Sequence, residues 1–549
     1  MKIKFIKILI LSIFFSLKMF SQKISPKEND IIISKLNSDF NLKNTTSKYF
    51  IIVKNDTVAT LLNFKTGYAV VSYKKDFSPL KAFSKTPLNV NSPNLNTFIS
   101  ILEYDYSQQI LYNQAYPQNI SKNQQKWKTW LNDNKSLFTD SIGPLLSSEY
   151  GQVNCHDNSG TLVNVTNYNT PSNYAVGCVA LTLVSTMRYY NWPIHGTDKH
   201  EYTDNSGSST GTYSADFGNS TYLWDNIQDL YDDAQSTDAS RSILGKIAFH
   251  SAVSVDMEFE YNGSTSNINK IPYAVSHYFR YDTPQYATTS NGSFWDLLDE
   301  SIENNQPTQL AVYTSGGAGH AVVCDGIKYT LDRNDKYYHL NMGWWGDNNG
   351  WYLIQSGFNA GGYSIISAAV MGMTPIPELK TPIFDLEFNE AKISWYYSDK
   401  IENPVFELQQ KQDDGDWTTI DDNITEFDYT FTPNHSSTYK FRVKTSQNSA
   451  WSEEIFFDPS LELDKLNEIA LYPSLVKQNI YIEYKNLKNT SIHIFTMNGR
   501  KVYFENLNDY ASPQKTIDVS FLHRGLYFAK IITSDKEENF KFIFQGLEQ

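Results

Sequence analysis

Only three cysteines occur in 549 residues: Cys155, Cys178 and Cys324. A disulfide-dense scaffold is thereby excluded, and an odd count leaves at least one thiol free or bonded to another molecule. A Cys155–Cys324 bridge stays open on sequence grounds. Neither a Cys-x-x-Cys pair nor a His-Glu-x-x-His helix is present, so no metal site and no cofactor are expected. Basic residues are in the minority, 46 against 60 acidic, giving a net charge of −14. Without a basic patch, nucleic acid is not an expected partner. Long apolar runs are missing too. The stretch Ile8 to Phe15, preceded by Lys2, Lys4 and Lys7, falls short of the ~20 residues that a membrane span needs. It reads as a signal peptide over residues 1–21, cleaved near Ser21/Gln22, which predicts an exported chain with no stable membrane span.

What the chain does have is aromatic residues, 15%, with charge held to 19%. That balance suits folded domains with large cores rather than disorder. The length calls for three or four domains of ~100–200 residues each. Residues 22–141 carry strand-like runs at Tyr49–Val53 and Gly67–Tyr73, then a helical stretch from Ile99 through Trp130-Leu131. Nothing in this segment resembles a reactive site. Residues 142–374 are mixed. They hold a Ser/Gly/Thr/Asn-rich stretch from Thr203 to Asn219, read as a long surface loop, and a weakly alternating Ser254–Phe259. A helix over Phe294–Asn304 is stopped by Gln306-Pro307, and strands follow at Gln309–Tyr313, His320–Gly326 and Tyr337–Asn341. From Pro375 onward, short strands alternate with turn residues to the end of the chain.

The reactive candidate is Cys178. Turn residues Pro171-Ser172-Asn173 lead into Gly177, and a helix is expected from Cys178 to about Tyr190. Its buried face carries Val179, Ala180, Leu183, Val184 and Met187, and Trp192-Pro193 ends it. A sulfur on the first turn sits where the helix dipole and unpaired N–H groups favour a thiolate. A lone cysteine is more often a small core residue, so a base has to be found. Of ten histidines, His320 is the one placed like a base, after the glycine-rich turn Gly316-Gly317-Ala318-Gly319 and at the start of an apolar strand. Downstream, Asn341 can accept from the far ring nitrogen and Trp344 can shield that bond from water. Together they predict attack of Cys178 on a carbonyl, with His320 as general base and acid.

These residues resemble the streptopain-like cysteine peptidases, a branch of the papain-like fold. The resemblance rests on Gly177-Cys178-Val179-Ala180 with Met187–Pro193, on Ser254–Met257, and on Asn305-Gln306-Pro307. It rests further on Gly319-His320-Ala321-Val322 with Asp325-Gly326, and on His339–Trp344, all in the family's order. It implies Cys178 as nucleophile and His320 as its partner, with Asn341 and Trp344 in support and Gln152 as an oxyanion-hole donor. The family usually has Trp where Met342 stands. It also implies that residues 22–141 are an inhibitory prodomain removed on activation. Ile393-Ser394-Trp395 and Tyr439–Val443 resemble a fibronectin type III domain over 375–460. Leu471-Tyr472-Pro473-Ser474, Ile494–Val502 and Arg524–Phe528 resemble the C-terminal sorting domain of type IX secretion, placed at 461–549.

The expected architecture is therefore an α+β papain-like peptidase domain at 142–374, preceded by an α+β prodomain and followed by two all-β sandwiches. The expected activity is that of a secreted cysteine endopeptidase. Its partners would be protein or peptide substrates, its own prodomain and the type IX machinery. It would act outside the cell or on its surface, past both membranes of a Gram-negative-type envelope. Two rivals stand beside it: a non-catalytic binding protein on a degenerate scaffold, and a papain-like amidase or transferase.

Overall fold

The computed structural model describes residues 22–546, apart from 91–93, 133–137, 158, 207, 232–235, 262, 315, 331–332, 334, 356–364, 386–388, 462–468, 485–486, 509–511, 513 and 535. The expected leader at 1–21 lies outside the described residues. The chain divides into two compact units between Pro375 and Ile376.

In the first unit, Ser25 starts helix α1 (Pro26–Phe40) with a reciprocal pair of bonds to Glu28, and Ile32, Leu36 and Phe40 line its buried face. Four antiparallel strands follow: β1 (Thr45–Val53), β2 (Asp56–Phe64), β3 (Gly67–Ser72) and β4 (Leu80–Ser84). Helices α2 (Asn94–Ala115) and α3 (Gln118–Asn132) precede β5 (Phe138–Ile142). Beyond it lie α4 (Cys178–Tyr190), α5 (Asp238–Ser254), β6 (Gln285–Thr288) and α6 (Phe294–Glu303). Five strands complete the unit: β7 (Thr308–Tyr313), β8 (Gly319–Thr330), β9 (Lys336–Asn341), β10 (Gly350–Tyr352) and β11 (Ile365–Met371).

These strands build one eleven-stranded sheet in the order β1-β2-β3-β4-β10-β9-β8-β7-β11-β6, with β5 paired to β8. The join is β4 against β10, where Trp351 faces Phe83 and Tyr352 faces Ala82. Residues on either side of position 141 therefore share a core, in which Val58, Leu61, Phe98 and Leu102 pack with Leu310, Val322, Tyr338 and Leu340. Lys328 of β8 extends into a box of rings, 4.9 Å from Trp351, 5.4 Å from Phe138, 5.6 Å from Phe40 and 5.7 Å from Phe83. Burial and nearby Lys85 hold its ammonium below the usual lysine range.

Helix α4 ends as its sequence requires. Asn191 takes a left-handed conformation (φ 49°) and its N–H returns to the carbonyls of Arg188 and Met187. One expectation changes. The turn-rich stretch Thr203 to Asn219 is largely a hairpin, Lys199–Asp204 against Gly211–Asp216, with Tyr202 opposite Tyr213. Alternation hidden among Ser, Thr and Gly is enough for pairing once those rings pack 5.8 Å apart. Along the weakly alternating Ser254–Phe259, Ser254 closes α5, and Asp256 bonds His200 at 2.7 Å and Lys270 at 3.2 Å.

The second unit is all-β. Two four-stranded sheets enclose Trp395, Phe406, Phe441 and Val443, and a three-stranded and a five-stranded sheet enclose a second core around Ile480, Ile492 and Ile531. No helix among the described residues is long and apolar enough to cross a membrane.

Candidate active site

Cys178 is the first residue of α4, and Gly177 before it has φ 88°. A Cβ on Gly177 would stand 2.5 Å from Met257 Sδ and 3.2 Å from the Ser264 carbonyl oxygen. Only glycine can both turn the chain there and let the Met257 loop lie against it. Gly177→Ala is expected to cost about 2 kcal/mol and to displace the sulfur. Urea unfolding and thiol-labelling rates would show this, and an unchanged pair of values would remove the steric argument.

His320 opens β8, buried, with Val312 of β7 opposite. The Cys178 sulfur lies near enough to the backbone N–H groups of Ala321, next to the histidine, and of Val179 for both to favour its thiolate form. The His320 Nε2 lies 2.8 Å from the Met342 carbonyl oxygen. A carbonyl can only accept, so Nε2 carries the proton and the neutral ring keeps its lone pair on Nδ1. Trp344 stacks on the imidazole at 5.0 Å and 15°.

The expected bond from the ring to Asn341 is replaced. Asn341 Nδ2 donates to the Ser148 carbonyl at 2.8 Å, and its Oδ1 accepts from Gly343 N–H at 3.1 Å. It braces the loop while the Met342 carbonyl holds the ring. Asn349, which sequence reading passed over, fixes that carbonyl by accepting the Met342 N–H at 2.7 Å. Gln152 lies beside the nucleophile, its carbonyl accepting from Val176 N–H at 2.9 Å. The loop that carries it is tied down upstream, where the buried Asp325 carboxylate accepts from Leu146 N–H at 3.0 Å and pairs with His339 Nδ1 at 2.6 Å. All three cysteines are free, and Cys324 is a core residue of β8.

Burial raises the Cys178 thiol above its ordinary value, against the pull of the amide N–H groups. Burial also brings His320 down to about 4, partly offset by the Met342 carbonyl. Both shifts favour the uncharged forms, thiol and imidazole. His250 is likewise brought to about 4 by burial, with Lys246 nearby and the Tyr222 hydroxyl 3.0 Å from Nδ1. Between about pH 6.5 and 4 the unfolded chain binds these protons and the folded chain does not. Stability is therefore full above the upper limit and falls with acid, by about 3 kcal/mol for each histidine. The urea midpoint of the intact chain is expected to drop across that window, and a flat profile would contradict the burial of both rings.

Residues 150–352 match the Peptidase C10 family, and residues 470–545 match the secretion system C-terminal sorting domain. Streptopain of Streptococcus pyogenes serotype M1 is 25% identical over 295 residues, covering 47% of this chain and 71% of streptopain. The thiol protease/hemagglutinin PrtT of Porphyromonas gingivalis is 28% identical over 250 residues, covering 41% of this chain and 28% of its own length. Among solved structures, a fragment of Prevotella intermedia prointerpain A aligns with TM-score 0.41 and 20% identity, over 59% of this chain and 98% of the fragment. Sulfur, imidazole and family match together define a cysteine-type endopeptidase. Within that class, residues 150–352 are similar to the streptopain-like cysteine peptidases, and the match to a secretion sorting domain supports a secreted or cell-surface location.

Proposed function

We propose that residues 142–374 are a papain-like peptidase domain made as a zymogen, with residues 22–141 as its inhibitory prodomain. In this reading, residues 375–460 form a fibronectin type III-like sandwich. Residues 461–549 deliver the chain through the type IX machinery across both membranes. The observation that carries the reading is the Cys178 sulfur on the first turn of α4, within the influence of the amide next to His320.

The chemistry is acyl transfer. His320 Nδ1 takes the Cys178 proton, and the thiolate attacks the scissile carbonyl carbon. The resulting oxyanion is held by the Cys178 backbone N–H and the Gln152 side-chain amide. As the C–N bond breaks, His320 returns the proton to the leaving amine, which leaves a thioester on Cys178. A water, deprotonated by the same nitrogen, then attacks the thioester and expels the sulfur with the product carboxylate. The Met342 carbonyl keeps the ring oriented through both steps.

The neutral state of both groups in the intact chain supports latency: a thiol raised beside a histidine lowered to about 4 gives little thiolate. A peptidyl thiol-directed probe, followed by N-terminal sequencing of the secreted protein, tests both parts. Cys178 is expected to label in the processed form and only slowly in the intact one, with labelling dependent on His320. Equal labelling of both forms would remove the zymogen, and none in a processed sample would favour a binding protein.

A further inference from the structure

Beside the dyad runs an open groove of ≈ 780 Å³ whose walls include Gln152, Val153, Tyr174, Tyr261, Trp344 and Trp345. Its described lining residues all lie between Gly151 and Asp347. Its position relative to the chemistry follows from two walls. Trp344 is the ring stacked on His320, and His320 is the group that would hand a proton to the departing amine. Gln152 is bonded to the backbone just before the nucleophile. The groove therefore begins where the leaving half of a substrate departs. An extended chain advances ~3.3 Å per residue, so the first two residues after the scissile bond fall within it.

The groove wall also carries an aromatic pair. Tyr174, four residues before Cys178, meets Tyr261 edge to face with centroids 6.2 Å apart and planes at 82°. Tyr261 is 76% exposed. A ring left in water beside a catalytic dyad, already braced on one side by another ring, offers its open face to a third. Such contacts prefer stacked or edge-on geometry and add to ordinary burial.

We propose that Tyr174 and Tyr261 form a specificity clamp for a large aromatic side chain at the first or second position after the cleaved bond. Tyr261 supplies the contact face and Tyr174 positions it. The inference rests on the peptidase reading above and concerns only which substrates that site prefers.

The test uses the processed enzyme with two kinds of substrate. Internally quenched peptides differ only in Phe or Ala at each of the two positions after the scissile bond. A second substrate carries the same acyl half on a small fluorogenic amine and has nothing to place in the groove. Wild type is expected to favour Phe over Ala by about 5- to 10-fold in kcat/KM. The ratio should fall to within about 2-fold in Tyr261→Ala and persist in Tyr261→Phe, while all three cleave the fluorogenic amide equally. Wild type without a Phe preference, or Tyr261→Ala with the preference intact, would overturn the clamp while the fluorogenic amide still reports an active peptidase. If wild type cleaves neither substrate, the peptidase reading fails and the clamp falls with it.

Discussion

Cys178→Ala is expected to lower kcat/KM on a peptide substrate by at least about 10⁴-fold, with a urea midpoint indistinguishable from wild type. The sulfur is only half-buried, at a helix start. Removing it therefore leaves little cavity, while the reaction loses the atom that forms the thioester. His320→Ala should cost nearly as much, and the double variant little more than either alone, because nucleophile and base act as one unit. Additive losses would mean that the two residues work separately, which would sink the acyl-transfer mechanism. Asn349→Ala is the informative companion. It frees the Met342 N–H and with it the carbonyl that orients His320, so kcat is expected to fall with KM little changed.

The second large effect is on stability. Phe83 is fully buried on β4, 4.0 Å from Phe40, 5.6 Å from Phe138, 5.9 Å from Tyr337 and stacked on Trp351 at 6.2 Å. Phe83→Ala would open a cavity inside that cluster, and a loss of about 3–5 kcal/mol is expected in chemical denaturation of the intact chain. Because the cluster joins residues before and after position 141, the same variant should speed probe labelling of Cys178 before any cleavage. A destabilised chain whose Cys178 stays as slow as wild type would show that latency does not depend on this packing.

Much of the site was legible because its parts leave marks in the sequence. The start of α4 follows from Gly177 and the spacing of Val179, Leu183 and Met187, and the placement of His320 follows from the glycines ahead of an apolar strand. The acceptor on the His320 ring was not legible, since a backbone carbonyl such as that of Met342 has no side-chain signature. Asn341 carried the right chemistry for that role, and its reach is spent on Ser148 and Gly343 instead. Helix α5 escaped because Ser240, Gly245, His250 and Ser251 dilute its apolar periodicity, although all but His250 are small enough to pack closely. The continuous sheet escaped for another reason. It turns on a three-residue strand, Gly350–Tyr352, meeting β4 from far away in sequence, and pairing between such distant, short segments has no local pattern.

That junction has a mechanical meaning. A cut near residue 141 severs one covalent bond yet leaves the β4–β10 ladder, the Phe83–Trp351 stack and the Lys328 box in place. Scission and separation are then distinct events, and the slower of them sets how long a clipped molecule still holds its former amino-terminal part.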